Sequence, residues 1–259
     1  MSRVVAITGA SAGIGRAAAE QLGRLGMPIA LLARRAERLE AIAQSIRAGG
    51  GRAIAVAGDV TDEGDVRELA DRAVAEFGRL DVMIANAGIG FHGALEDTPP
   101  EIMRRLLDVN FMGTFHAARA SLPIFRRQGG GHLILISSIA GQRGIGFTSG
   151  YCATKAAQIG LAESLRAELA GTGIHVSVVF PVSTITEFHD AIRRDFGHAV
   201  SGLGPKQSAD DVARAIARCL EHPRVEVYPH WKSRGLVLLN ALAPAFTDRL
   251  VQKYGRRRR

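Results

Sequence analysis

The chain has 259 residues, 47% of them hydrophobic and 22% charged. That length holds one large domain or two small ones, and that apolar fraction excludes a disordered protein. Two cysteines, Cys152 and Cys219, exclude a disulfide-built scaffold and a cysteine-rich zinc site and point to a reducing compartment. Basic residues number 33 against 25 acidic, a net charge of +8; setting aside the four arginines 256–259 leaves +4. We read this as a solvated basic end on an ordinary domain, not as a nucleic-acid interface. Aromatic residues are only 5% of the chain, and no basic patch is interleaved with them. No run of 18 apolar residues occurs, so no spanning helix is expected. Residues 1–10 enter a strand-like run directly, so no signal peptide is expected, and the expected location is cytoplasmic.

Strand-like runs fall at 4–8, 29–32, 53–57, 81–85, 132–137, 174–180 and 224–228. Most are continuously apolar, as suits strands of a parallel sheet covered on both faces. Helical patterns separate them. Leu39, Ile42 and Ile46 form one stripe, and Val66, Leu69, Ala70, Ala73, Val74 and Phe77 form the next. Thr98 and Glu101, with two prolines between them, predict a capping box; Ser208, Asp210 and Asp211 predict another helix start. Strand and helix alternate about six times, which predicts an α/β chain: a single doubly wound, about seven-stranded parallel sheet with helices on both faces. Ligands and chemistry then belong at the carboxyl ends of the strands.

After the first strand comes Thr8-Gly9-Ala10-Ser11-Ala12-Gly13-Ile14-Gly15, then a helix. Glycines at 9, 13 and 15 let the backbone approach a phosphate, and the helix start offers free N–H groups to it. The spacing Thr-Gly-x-x-x-Gly-x-Gly resembles the cofactor loop of the short-chain dehydrogenase/reductase family, and the likeness continues in order over about residues 1–230. Ala33 stands where NAD-dependent members often carry an acid, and Arg34 and Arg35 follow it. An acid repels a 2′-phosphate, whereas a guanidinium forks onto one, so NADP(H) is favoured over NAD(H), with Arg34 the first candidate, Arg35 the second and Ser11 assisting. The resemblance implies that Asp59 and Val60 contact the adenine. It implies that Asn86, Ala87 and Gly88 border the cofactor, and that Asn110, Ser138, Tyr151 and Lys155 form the catalytic tetrad. Asn110 would hold a water that links Lys155 to solvent. Lys155 would also hold the nicotinamide ribose.

Tyr151 and Lys155 lie four apart on a helix expected over 151–170, so they share a face. A lysine ammonium and a positive nicotinamide ring are expected to pull the phenol down from its ordinary value of about 10, making it a general acid in reduction and a general base in oxidation. Ser138 is placed to hydrogen-bond the substrate oxygen; Ser137 points to the other face of the strand. Cys152 reads as core. His92, His116 and His189 are scattered, and no catalytic metal is expected.

Where the family usually has Pro-Gly and then a threonine, this chain has Pro181-Val182, with Thr184 and Thr186 following. Thr186 falls at the family's threonine position, and Val182 adds bulk beside the nicotinamide pocket. Residues 183–207 form a long connection, which the resemblance makes a substrate lid. Phe188, Ile192, Phe196, Val200 and Leu203, together with Ile89, Phe91 and Phe147, predict an apolar small-molecule carbonyl or alcohol, steroid-like or acyl-like. Residues 231–259 form a helical extension with a basic tail. Its apolar part is too short to span a membrane and suits either peripheral membrane contact or packing over the substrate mouth or a second subunit. The family implies a homodimer or homotetramer through helices near 110–128 and 151–170. The rival reading is a catalytically silent nucleotide-sensing or RNA-binding protein on the same fold.

Overall fold

The computed structural model describes residues 2–188, 192 and 206–255, with backbone alone at 250, 251 and 253–255. Seven strands form one sheet in the order β3-β2-β1-β4-β5-β6-β9, every neighbouring pair parallel. They are β1 (Val5–Thr8), β2 (Ile29–Ala33), β3 (Ala53–Ala57), β4 (Val82–Ala85), β5 (Gly131–Ile136), β6 (Ile174–Val179) and β9 (Glu226–Val227). The doubly wound single sheet is the architecture that the apolar runs predict. The strand order reverses between β1 and β4, which opens a crevice at their carboxyl ends.

Side chains alternate across the strands and feed two cores. Val5, Ile7, Ile29 and Leu31 pack with Leu22, Leu39, Ile42, Val212 and Ile216. These come from α1 (Gly13–Arg24), α2 (Ala36–Ala48) and α8 (Ala209–Glu221). Val4, Ala6, Ala30 and Leu32 pack with Val66, Leu69, Ile124, Phe125 and Leu165 on the opposite face. These come from α3 (Glu63–Phe77), α5 (Gly113–Gln128) and α7 (Ser149–Glu168). The central strands β1, β2 and β4 are buried at every residue and so covered twice, which is why their sequences read as nearly continuous apolar runs.

Two features at helix starts differ in outcome. Ser208 caps α8 as predicted: its hydroxyl accepts from Asp211 N at 3.1 Å, and the Asp211 carboxylate accepts from Ser208 N at 3.0 Å. Thr98 does not cap α4 (Pro100–Leu106). Pro99 takes the cap position, and the Thr98 hydroxyl donates instead to Ala94 O at 2.7 Å, within its own turn. The competing local bond explains the failed capping box.

Between α4 and α5 the helix widens into a π-helical segment, Leu107–Met112, which carries Asn110. The short helix α6 (Ile139–Gln142) follows β5. Two short strands, β7 (Ser183–Ile185) and β8 (Lys206–Ser208), pair in parallel at the ends of the long connection. Phe196, Val200 and Leu203, His189, and the arginines 256–259 lie outside the described residues. The chain closes with α9 (Ser233–Leu242) and α10 (Pro244–Gly255), tied to the body where Asp248 accepts from Arg143.

Candidate functional site

The glycine loop and the β4 end are stitched together at the crevice. Thr8, 1% exposed, accepts through its hydroxyl from Asn86 N at 3.1 Å and Ala87 N at 3.2 Å. Asn86 Nδ2 donates back to Thr8 O at 2.9 Å and Gly9 O at 3.1 Å. The approach leaves no room for side chains: a Cβ at Gly15 would lie 2.5 Å from both Asn86 Nδ2 and Gly9 O. Gly9 also has φ of +66°, which a residue with a Cβ rarely adopts. Ile14 leans half-buried on the core.

Behind this loop sits a dry polar cluster. Asn110 is fully buried; its Oδ1 accepts from Ile89 N at 2.8 Å, and its Nδ2 donates to Ile89 O and to Thr154 Oγ1, each at 3.0 Å. The Asn110 carbonyl, opened by the π-helical widening, accepts from Gln158 Nε2 and Thr114 Oγ1, each at 2.8 Å. The asparagine side chain is thus committed to the loop after β4 and to α7. Gln158 and Thr154 are partners that the sequence reading did not single out, although both lie on α7 within a turn of Lys155.

Lys155 is 4% exposed, and its Nζ donates to Ile136 O at 2.8 Å. A Cβ at Gly88 would lie 3.4 Å from that nitrogen, so the amine borders the loop after β4. An ammonium has three hydrogens, so the cluster leaves donors for a ribose hydroxyl. Ser138 stands two residues beyond β5 as the N-cap of α6, its hydroxyl accepting from Ala140 N at 3.1 Å and lying close enough to Tyr151 to favour its phenolate. Ser137 turns away, donating to Lys155 O at 2.8 Å. The structure therefore brings Ser138, Tyr151 and Lys155 together and excludes Ser137. Cys152 is buried beside Thr148, 3.3 Å from its hydroxyl.

Burial pushes the Tyr151 phenol of the nucleotide-free protein up to about 12, against a lowering influence from the neighbouring Ser138. Burial also pushes the Lys155 amine down, to about 7. The lysine nitrogen lies 5.8 Å from the tyrosine ring centroid and does not offset the loss of water around the phenol.

At the far end of the crevice, Arg35 Nε and Nη2 donate to Ser11 Oγ at 3.2 and 2.9 Å. Arg34 turns to Asp59, with Nε 3.9 Å from Oδ2. Asp59 also accepts from Thr61 N at 3.0 Å, and the Val60 carbonyl bonds His116 Nδ1 at 2.9 Å. Arg38, three residues beyond Arg35 on α2, joins the group through Glu187; its helical spacing was the available signal. Thr186 faces the glycine loop, its Cγ2 3.2 Å from where a Gly13 Cβ would stand. Thr184 does not: it is buried, accepting from Gln207 Nε2 at 3.1 Å and donating to Val182 O at 2.9 Å. Pro181 O accepts from Ile139 N at 3.1 Å, which ties the β6 end to the serine segment.

Above Tyr151 lies the Phe188 ring, 5.8 Å centroid to centroid. A Cβ at Gly90 would meet Phe188 Cζ at 2.6 Å and Ile192 Cδ1 at 2.7 Å. Phe147 takes φ of +63° and its carbonyl accepts from Gly93 N at 2.8 Å. Among the described residues, no group of His, Cys, Asp and Glu could hold a metal ion, and no helix is long and apolar enough to cross a membrane.

A glycine loop at the first βα turn, with a buried lysine and a neighbouring tyrosine and serine behind it, defines the class of dinucleotide-dependent oxidoreductases. The short chain dehydrogenase family model matches residues 3–196, and this chain belongs to the short-chain dehydrogenase/reductase family. It is an NAD(P)-dependent dehydrogenase/reductase of CH–OH and C=O groups. It is 34% identical to the oxidoreductase YxnA of Bacillus subtilis over 97% of this chain and 72% of that protein. A short-chain dehydrogenase/reductase from Burkholderia phymatum, solved in complex with NAD, is 29% identical and superposes with a TM-score of 0.86, covering 95% of each chain. An alcohol dehydrogenase of Thermococcus sibiricus, solved with 5-hydroxy-NADP, is 30% identical with a TM-score of 0.77, covering 88% of this chain and 96% of that one.

Proposed function

We propose that the protein is an NADP(H)-dependent oxidoreductase that interconverts an apolar carbonyl compound and its secondary alcohol, with Tyr151 as the proton carrier. The observation that carries the chemistry is the Ser138–Tyr151–Lys155 cluster beside the glycine loop, its serine and lysine buried and its tyrosine partly so. The rival silent nucleotide-sensing or RNA-binding reading leaves that cluster without a purpose. The cofactor supplies the hydride.

The chain's own residues supply the rest. Thr8, Gly9, Ser11, Gly13, Ile14 and Gly15 cradle the pyrophosphate at the start of α1. Asp59, Val60, Asn86, Ala87 and Gly88 line the adenine side and the floor. Pro181, Val182 and Thr186 close the nicotinamide side, whereas the hydrogen bonds of Thr184 give it a packing role there. Lys155 donates to the nicotinamide ribose. Ser138 hydrogen-bonds the substrate oxygen as charge develops on it. The Tyr151 phenol gives its proton to that oxygen in reduction and takes it back in oxidation. Asn110 fixes the loop at Ile89 and the tyrosine helix through Thr154. A Lys155 amine near 7 takes and gives protons at neutral pH and so serves to reload the tyrosine.

The preference for NADP(H) rests on Arg35 and Ser11 in mutual contact, with Arg34 alongside, and on Ala33 where an acid would repel a phosphate. Phe188 over Tyr151, with Ile192 beside it at Gly90, supports an apolar substrate. Residues 1–230 form the catalytic domain, and the family's habit of assembly makes a homo-oligomer the working form. In the extension, Trp231 is 76% exposed and Leu242 85%. We assign this ridge to packing against a second subunit. Flotation of the full chain with anionic liposomes, lost on truncation to 1–230, would instead assign it to a membrane surface. For the function itself, a carbonyl and alcohol panel followed by NADPH absorbance is the test: turnover is expected with NADPH, and equal or better kcat/KM with NADH would overturn the cofactor assignment.

A further inference from the structure

Glu187 places a carboxylate among the arginines that the cofactor reading reserves for a phosphate. Arg38 Nη1 donates to its Oε2 at 2.8 Å and its Oε1 at 3.1 Å, and Arg35 Nη1 reaches Oε2 at 3.4 Å. Arg35 holds Ser11 with its other two nitrogens at the same time. Arg16, paired with Glu20 at 2.7 Å, feels the same carboxylate at longer range. Together Arg38 and Arg35 hold the Glu187 carboxyl below its ordinary range. Arg35 and Arg38 begin α2, and Ser11 lies in the glycine loop. Glu187 comes 152 residues after Arg35, two beyond β7, from the opposite wall. The bridge therefore joins the two walls of the crevice.

We propose that Glu187 is a built-in competitor for the 2′-phosphate: it occupies Arg35 and Arg38 until a 2′-phosphorylated nucleotide displaces it, and so sets the ratio of affinities for NADPH and NADH. The inference rests on the dinucleotide site proposed above. Carboxylate and phosphate ask for the same planar forks of donors, and two anions cannot share one pair of guanidinium groups. A nucleotide without the phosphate leaves the bridge in place and has nothing to displace. The side chains of Arg35, Arg38 and Glu187 are 45%, 51% and 57% exposed, so water already screens the bridge. Its competition is correspondingly modest, roughly three- to tenfold in affinity.

The test is the dissociation constant of NADPH and of NADH, each followed by cofactor fluorescence, for the wild type, Glu187→Gln, Arg38→Ala and the double variant. Glu187→Gln should tighten NADPH by roughly three- to tenfold and leave NADH within about twofold, because only the phosphate meets the bridge. In the Arg38→Ala background the gain should fall below about twofold, since the closer of the two partners is gone. An unchanged NADPH-to-NADH ratio in Glu187→Gln, or the same gain without Arg38, overturns the proposal. The wild-type ratio is a separate readout. A wild type that favours NADH defeats the NADP(H) preference, while the competitor still stands or falls on the change of ratio.

Discussion

At the catalytic end of the crevice, Asn110 and Lys155 are 0% and 4% exposed and bond to backbone carbonyls, and Asn110 bonds also to Thr154 on the lysine's helix. At the adenosine end, Arg34, Arg35 and Arg38 stand 65%, 45% and 51% exposed; Arg35 and Arg38 meet only through the Glu187 carboxylate, and Arg34 reaches Asp59. The dry end works by desolvation: its groups carry large shifts, and every donor must have a partner. The wet end works by long, screened guanidinium arms, whose contributions are small singly and open to exchange. One end fixes the reaction and the other tunes the choice of cofactor.

Variants at the two ends should separate accordingly. The largest effect belongs to the dry end. Ser138→Ala removes a hydrogen bond that matters as charge develops on the substrate oxygen, and should cost roughly 10²–10³ in kcat with little change in cofactor binding. Steady-state kinetics with any accepted carbonyl substrate checks this; a loss confined to KM would mean that Ser138 only binds.

Next comes the pH dependence of stability. Burial holds Lys155 at about 7 in the folded chain, against 10.5 when unfolded. Between those values the unfolded chain binds the extra proton, so stability of the cofactor-free protein rises with pH from this group, by about 1.4 kcal/mol per pH unit. The contribution is complete above the unfolded value and lost as pH falls to about 7. Lys155→Met should flatten that rise in Tm measured from neutral to alkaline pH, and parallel curves for the two proteins would contradict the buried, uncompensated amine.

The wet end should respond less. Arg35→Ala is expected to weaken NADPH roughly tenfold while leaving NADH within about twofold, because only the phosphate contact is lost and half of it is solvated. Equal losses for both cofactors would place Arg35 on the common part of the dinucleotide. Smallest is the salt response: raising ionic strength should weaken NADPH by a few-fold and NADH by less.

The same contrast governs what the sequence makes legible. Strands such as 29–33 and 82–85 are readable because burial on both faces writes a continuous apolar run. Ser138, Tyr151 and Lys155 are readable through the resemblance to the family, since a tyrosine and a lysine a helical turn apart are common on any packed helix. Asp211 announced its cap at Ser208, whereas Thr98 offered the same pattern and spent its hydroxyl on Ala94. The π-helical segment around Asn110 has no periodicity of its own to read. The raised Tyr151 phenol depends on three-dimensional burial, which the spacing to Lys155 does not report. Glu187 meets Arg38 across 149 residues, and no local pattern foretells an exposed ion pair of that span.

The most direct test of the account is Tyr151→Phe, read as NADPH binding by fluorescence and as carbonyl reduction by NADPH absorbance in the same preparation. The account predicts binding within about twofold of wild type and turnover lowered by roughly 10²–10⁴, the proton donor being gone while the pocket is kept. Turnover at the wild-type rate in a variant that binds NADPH normally would contradict Tyr151 as the proton carrier.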